Sequence, residues 1–326
     1  ATFAAGFAAA GTLEDVQAAG ELKCGVSTGL AGFALADANG LIATNADNFN
    51  ISLLGNIMPV GMICFQWDDA RMGAPIESFM VGLKDGRIAK YFSPADNASL
   101  YADHPTSPYK GIRNGAFLDA KIQRVTFSKV STDFNSVQTR RHFTASEVAF
   151  LRAEAALRGW TGAGDAKTNY ETGVRLSFAD WGAGGVDAYL ADATSKPINY
   201  VDPVDSRNNF TAASTITVAW NDADDRELKL EKIMTQKYLA TFTNTLEAWV
   251  DHRRTGYPKI PSAAKNDSGD EWGVIPAGQF IKRWPFVAGE VTGNAAAVTD
   301  ALSKMGATKN DISTRLWWDT GVASNF

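Results

Sequence analysis

Two segments near the middle of the chain each carry a helix start, an apolar face and a helix stop, with a short turn between them. The first opens on Thr144-Ala-Ser-Glu147, a capping-box pattern in which the Thr144 hydroxyl accepts the third amide and Glu147 reaches back. Val148, Leu151 and Ala155 then recur at helical spacing, and Gly159 suits the C-terminal cap. After a glycine-bearing turn at 162–164, Asp165 can cap a second helix. Tyr170, Val174 and Phe178 lie four apart on one face of it, and Gly182 ends the run. Two amphipathic helices joined this closely bury their faces on each other, so the spacing predicts an antiparallel helical hairpin.

The same grammar continues downstream. Asp222, Asp224 and Asp225 place negative charge where a helix start favours it, and Leu230, Ile233, Met234 and the stem of Lys237 continue at helical spacing to about Phe242. A further helix over 246–254 ends in Arg253 and Arg254, then Gly256 and Pro258, a complete stop signal. Residues 294–305 read as a last helix stopped by Gly306. Between the hairpins, 182–221 is loop-like, with Pro197 and Pro203. The exception is Thr215-Ile-Thr-Val-Ala-Trp220, whose β-branched alternation predicts a short strand. Gly, Pro, Asn and Asp punctuate 45–110, which predicts loops with short helices, and Gly55, Pro59 and Gly61 argue against one helix over 51–65. The fold class expected is mainly α, with helical hairpins, a loop-rich cap and a few short strands.

Charge and composition narrow the function. A formal net charge of −5 repels phosphates on average, and the basic pairs Arg140-Arg141 and Arg253-Arg254 are short, so nucleic acid is set aside as a partner. Three histidines and no Cys/His pair at ligand spacing leave no zinc site to expect. Cys24 and Cys64 could form one bridge or remain two thiols. No apolar run reaches the roughly 18 residues of a membrane-spanning helix. Ala1 to Ala10 is apolar without a basic region before it, and the Glu-Leu-Lys before Cys24 is not a lipoprotein cleavage context, so a lipid anchor is not expected within this sequence. Nine Trp suit either sugar platforms or a generous core.

Several motifs together resemble the SusD/RagB outer-membrane proteins. They are Ala145-Ser-Glu-Val-Ala-Phe-Leu-Arg-Ala-Glu-Ala-Ala-Leu-Arg-Gly-Trp160, Leu230-Glu-Lys-Ile-Met-Thr-Gln-Lys-Tyr-Leu-Ala240, Glu247-Ala-Trp249 and Arg253-Arg-Thr-Gly-Tyr-Pro258. Asn294, Gly306 and Arg315-Leu-Trp-Trp-Asp319 follow in the family's order, while Asp85-Gly-Arg87 and Tyr109-Lys-Gly-Ile-Arg-Asn-Gly115 fit upstream. The resemblance runs from about Asn45 to the end, without the family's N-terminal helices. It implies tetratricopeptide-like helical pairs, a place at the cell surface on the outer membrane, and capture of oligosaccharide or peptide for a TonB-dependent, SusC-like transporter, without catalysis. Residues 12–40 separately resemble the start of a periplasmic polar amino-acid-binding protein of an ABC transporter. Residues 1–44 are therefore expected to be a segment of different character from a SusD-like domain over 45–326, in a sequence that is composite or truncated.

Candidate contacts combine aromatic faces with hydrogen-bonding groups in loop context, the mixture a sugar site needs. They are Trp67, Asp69 and Arg71, then Tyr109, Arg113 and Asn114, and Trp272 in an acidic loop. Loop packing is the alternative for each. Trp317-Trp318 reads as core, Arg253-Arg254 as helix termination and His252 as a surface position. Gly25-Val-Ser27-Thr-Gly29 matches the spacing of a nucleophile elbow, but no helix follows it, and Asp222-Ala-Asp-Asp-Arg-Glu227 lacks calcium-loop spacing. No catalytic group, cofactor or metal is expected. The rival functions are a periplasmic amino-acid-binding protein and a carbohydrate-active enzyme, the latter needing two carboxylates across a cleft.

Overall fold

The computed structural model describes residues 42–326 except 53–61, 98–99, 101–106, 121–122, 136–138, 268–272, 274, 276, 317, 320 and 322–323. The segment resembling an amino-acid-binding protein, the Gly25–Gly29 motif, Cys24, Trp272 and Trp317 lie outside the described residues. In chain order the elements are β1 (Phe49–Ser52), α1 (Ala74–Gly82), α2 (Ile88–Tyr91), β2 (Thr139–Phe143), α3 (Ala145–Leu157), α4 (Ala166–Asp180) and α5 (Val186–Leu190). They continue as α6 (Arg226–Ala240), α7 (Thr245–Thr255), α8 (Ala288–Gly293) and α9 (Ala295–Lys304). The architecture is mainly α. Among the described residues the one sheet is the antiparallel pair β1–β2, with Phe49 opposite Phe143 and Ser52 opposite Thr139.

The expected hairpin is α3 and α4. Thr144 Oγ1 accepts the Glu147 N–H at 3.3 Å, Asp165 Oδ1 accepts the Thr168 N–H at 2.7 Å, and Gly159 and Gly182 take φ of 77° and 61° past the two helix ends. The reciprocal half of the first capping box is replaced, because Glu147 turns its carboxylate into the core toward Lys237. Phe150 and Ala153 of α3 meet Tyr170, Val174 and Phe178 of α4 in one cluster that also takes Phe79, Met80, Leu230 and Ile233. At Gly173 the helices come so close that a Cβ would lie 2.8 Å from the Phe150 ring.

Helix α6 packs on α3, α4 and α7. Its apolar residues were legible, but Leu230 to Lys237 is buried all round, including three charged side chains. Lys237 hides its ammonium as well as its stem: Nζ lies 2.5 Å from Glu247 Oε1, 2.7 Å from Asp251 Oδ2 and 3.8 Å from Glu147 Oε1. Glu231 takes the Ser214 hydroxyl at 2.6 Å and Lys259 at 2.7 Å, while Lys232 pairs with Asp224 at 2.7 Å. Buried charges persist only when paired in this way.

Asp85-Gly-Arg87 makes a second buried node. Arg87 Nε and an Nη bond both Asp85 oxygens, and its remaining donors reach Ser177 Oγ and Gln236 Oε1, each at 2.8 Å. Tyr189 donates to Asp85 Oδ2 at 3.0 Å, so α4, α5 and α6 meet on one ion pair. Gly86 is obligatory there, since a Cβ would sit 2.7 Å from the Gly184 carbonyl oxygen.

Three sequence expectations need correction. Residues 215–220 form no strand. Ser214, Ile216 and Val218 are buried in alternation, but the carbonyls go to side chains, Val218 O to Tyr170 Oη and Ala219 O to Lys232 Nζ. Burial was periodic; a ladder partner was absent among the described residues. The loop-like 182–221 contains α5, started by Gly185 at φ 82°. His252 is half-buried and engaged: it meets the Phe280 ring edge-on at 4.6 Å, its Nδ1 lies 3.1 Å from Pro258 O, and burial lowers its pKa. The acidic run at 222–227 is wholly engaged: Asp222 accepts from the Trp220 indole, Asp225 caps α6 through the Leu228 N–H, and Glu227 binds Tyr257 and Asn325.

Candidate functional site

The expected contact segments lie side by side. Ile112 N–H donates to Met72 O at 2.8 Å and Ala74 N–H to Ile112 O at 2.9 Å, joining the loop after Trp67 to the Tyr109–Gly115 stretch. Ala264 and Lys265 amides then reach the carbonyls of Asn114 and Gly115. Within that frame the residues divide. Arg71 is shut in, donating to the carbonyls of Asp68, Ala70, Arg124 and Val125. Arg113 holds the carbonyls of Asn208, Asn209 and Ser262 and lies over the Phe210 ring. Tyr109 is buried, and burial raises its pKa. Trp67 is 56% exposed, and Asp69 and Asn114 also face solvent. Asp68, beside them, takes a left-handed φ of 53° and pairs with Arg71 and Lys129.

A second set of aromatics was not singled out for binding. Trp249 and Arg253 stand one turn apart on α7, hence on one face. Arg283, Trp284 and Phe286 come from the chain before α8, with Met305 from the end of α9 and Leu316 beyond it. Together these line an open cleft of about 240 Å³. Trp284 is 68% exposed, and its ring centroid lies 5.7 Å from that of Trp249 at 51°. The guanidinium of Arg253 sits between two indoles, its Cζ 4.5 Å from the Trp249 centroid and 4.7 Å from that of Trp318. Trp318 therefore serves as a wall for an arginine.

The cleft is braced from behind. Asn310 Oδ1 accepts both an Arg283 Nη–H and the Phe286 N–H, and Asn310 Nδ2 returns a bond to Phe286 O, so three contacts hold the strap bearing Trp284. Arg283 also donates to the Trp284 carbonyl at 2.9 Å. Burial lowers the pKa of both arginines, with Asp319 opposing at Arg253 and Asp311 at Arg283. Both remain cations at any ordinary pH. Indole faces beside hydrogen-bond donors suit a sugar ring, whose C–H face is apolar and whose rim is polar. The sequence reads Arg253-Arg254 as a helix stop, with pairing to carboxylates as the alternative. In the structure Arg254 also pairs with Glu154 and Asp251, while Arg253 turns to the indoles. For Trp284 the available signal was an isolated Arg-Trp-Pro in a loop, and nothing in the spacing ties 249 to 284.

Comparison with known proteins places these features. A family model described as SusD-like, SusD and RagB outer membrane lipoprotein, matches residues 25–319, beginning ahead of Asn45. The structure is similar to a chitin-binding SusD homologue from Flavobacterium johnsoniae, at 38% identity and TM-score 0.76, covering 87% of this chain and 56% of that one. It is also similar to a SusD-like protein from Bacteroides thetaiotaomicron (35%, TM-score 0.76, 86% and 57%) and a SusD homologue from Bacteroides vulgatus (32%, 0.77, 88% and 57%). The chain thus spans little more than half the length of each of these. No curated protein matches.

Proposed function

The chain belongs to the SusD and RagB family of outer membrane lipoproteins, and from that premise we propose that it binds oligosaccharide at the cell surface for uptake through a TonB-dependent, SusC-like transporter. The observation carrying the proposal is the solvent-open indole pair, Trp249 with Trp284, over a cleft lined by two guanidiniums. The chitin-binding homologue from Flavobacterium johnsoniae makes chito-oligosaccharides a natural first probe. Trp67, with the exposed Asp69 and Asn114 on the two joined segments, supplies a second contact of the same chemistry, while Arg71, Tyr109 and Arg113 frame the loops that present it. Trp272 remains a proposed contact from the 262–273 loop.

The role is capture without turnover. The rival amino-acid-binding reading calls for a two-lobed protein around parallel sheets, whereas the described residues build stacked helices and one two-stranded antiparallel sheet.

Calorimetric titration with a panel of oligosaccharides, chito-oligosaccharides included, tests the binding. Trp284→Ala and Trp67→Ala are each expected to weaken it by roughly 1–3 kcal/mol, as truncated interface aromatics do. Affinity untouched by both substitutions removes these rings from the site. Glycan hydrolysis that one Asp or Glu substitution abolishes would replace capture with catalysis.

A further inference from the structure

Helix α7 is built inside out. An amphipathic helix ordinarily turns its apolar stripe to the core. Here the inward side chains are charged, with Glu247 and Asp251 on Lys237 of α6 and Arg254 on Glu154 of α3, while Leu246 and Val250 are 64% and 41% exposed. Among the described residues, no α7 side chain joins the main apolar core. Two left-handed residues flank the helix, Thr243 at φ 80° and Gly256 at φ 76°. Glycine adopts that conformation freely, but a β-branched residue is strained in it, and such strain collects at segments that switch. Each charge that docks α7 also has another partner. Lys237 has Glu147 of α3 at 3.8 Å, Glu154 has Arg158 at 2.8 Å, and Asp251 and Arg254 pair with each other at 2.8 Å. Departure of α7 therefore strands no buried charge, which is the usual barrier to breaking such ion pairs. On its other side α7 meets the strap, Trp249 against Trp284 and His252 against Phe280, so movement of the helix alters the cleft.

Resting on the capture reading, we propose that α7 is a hinged platform for the glycan, pivoting at Thr243 and Gly256 and released when Lys237 turns from Glu247 and Asp251 to Glu147 while Glu154 keeps Arg158. A sugar lying across Trp249 and Trp284 holds the helix down. Rising pH lets it go. The groups that face the Glu147 carboxyl are Lys237 from α6, Glu247 and Asp251 from α7, and Arg141 and His142 of β2 across a small cavity shared with Asn244. Burial pushes its pKa up to about 7 against the pull of Lys237, and the two α7 acids add to the rise. With α7 away and Lys237 beside it, the carboxyl returns to its ordinary 4.5 or below. The docked form thus holds a proton that the released form gives up, so release becomes easier as pH rises and levels off above about 7.

Hydrogen exchange read by mass spectrometry, corrected for the intrinsic rate at each pH, measures the release directly. In the parent protein, α7 amides are expected to open at least ten-fold more often than those of α6, and about ten-fold more often at pH 8 than at pH 6. Saturating chito-oligosaccharide should slow α7 ten-fold or more and leave α6 unchanged. Glu147→Gln removes the acid that takes over Lys237, so it should abolish the pH step and bring α7 opening at pH 8 down to the parent's level at pH 6. Exchange of α7 and α6 together at both pH values overturns the hinge, and that comparison needs no variant. A pH step that survives Glu147→Gln overturns the partner exchange. If a sugar binds by calorimetry and α7 exchange does not slow, the helix is no platform and capture stands. If no sugar of the panel binds, the capture reading falls, and the pH step alone decides the hinge.

Discussion

Glu147 shows how one side chain can be read correctly for its helix and missed for its chemistry. Its amide does take the Thr144 cap, but its carboxylate is buried against α6. Burial pushes its pKa up to about 7, with Lys237 pulling it down and Glu247 and Asp251 adding to the rise. Lys237 faces three acids, and Glu147, at 3.8 Å, is the farthest from its ammonium. The folded protein therefore holds this proton more tightly than the unfolded chain, where the carboxyl titrates near 4.5. Its contribution to stability is complete below about 4.5 and disappears as pH rises through about 7, an effect on the order of 3 kcal/mol. His252, lowered by burial, acts in the opposite direction below about 6.5, so comparison with a variant isolates the carboxyl. Glu147→Gln should flatten this part of the profile, raising stability relative to the parent at pH 8 more than at pH 4.5. Urea midpoints at the two pH values decide it, and a parallel shift at both would refute the assignment.

Elements were the most legible scale. Helices α3, α4, α7 and α9 stand within a residue or two of their expected ends, because caps, glycine stops and period are local signals. Gly173 was not legible: in sequence it is a poor helix residue in mid-helix, and only the approach of α3 explains it. Gly173→Ala should gain roughly 0.5–1 kcal/mol from backbone entropy. It should lose about 1–3 kcal/mol by driving a Cβ into the Phe150 ring, so overpacking wins. A lower urea midpoint with an unchanged slope is the expected result. A more stable variant would mean that the hairpin opens at little cost.

For the whole molecule the decisive part is α6, enclosed by α3, α4 and α7 and tied by Gln236 to the Asp85–Arg87 node. Removing α3 or α7 takes carboxylate partners from the buried Lys237, which couples the hairpin to the helix that follows α6. Helix content by far-UV circular dichroism and the fluorescence of Trp181 and Trp220, both packed on this core, should therefore change together in one urea transition. Separate midpoints would show that the α3–α4 hairpin stands alone. The binding face differs in kind. Trp249 comes from a helix and Trp284 from a strap 35 positions later, held by Asn310, so its assembly depends on long-range contacts that carry no periodic signal.

Local physics written in the chain determined which stretches coil into helices, where they stop, that the fold is mainly α and which family it joins. Those outcomes follow from neighbours within a few positions, or from motifs whose order survives without knowledge of contacts. Tertiary structure alone decided that the charged α6 is a central buried helix, that Arg71 and Arg113 brace loops, and that two indoles and two arginines share one cleft. Burial and hydrogen-bond satisfaction are properties of pairs far apart in sequence, and a residue's type does not say whether its partner will arrive.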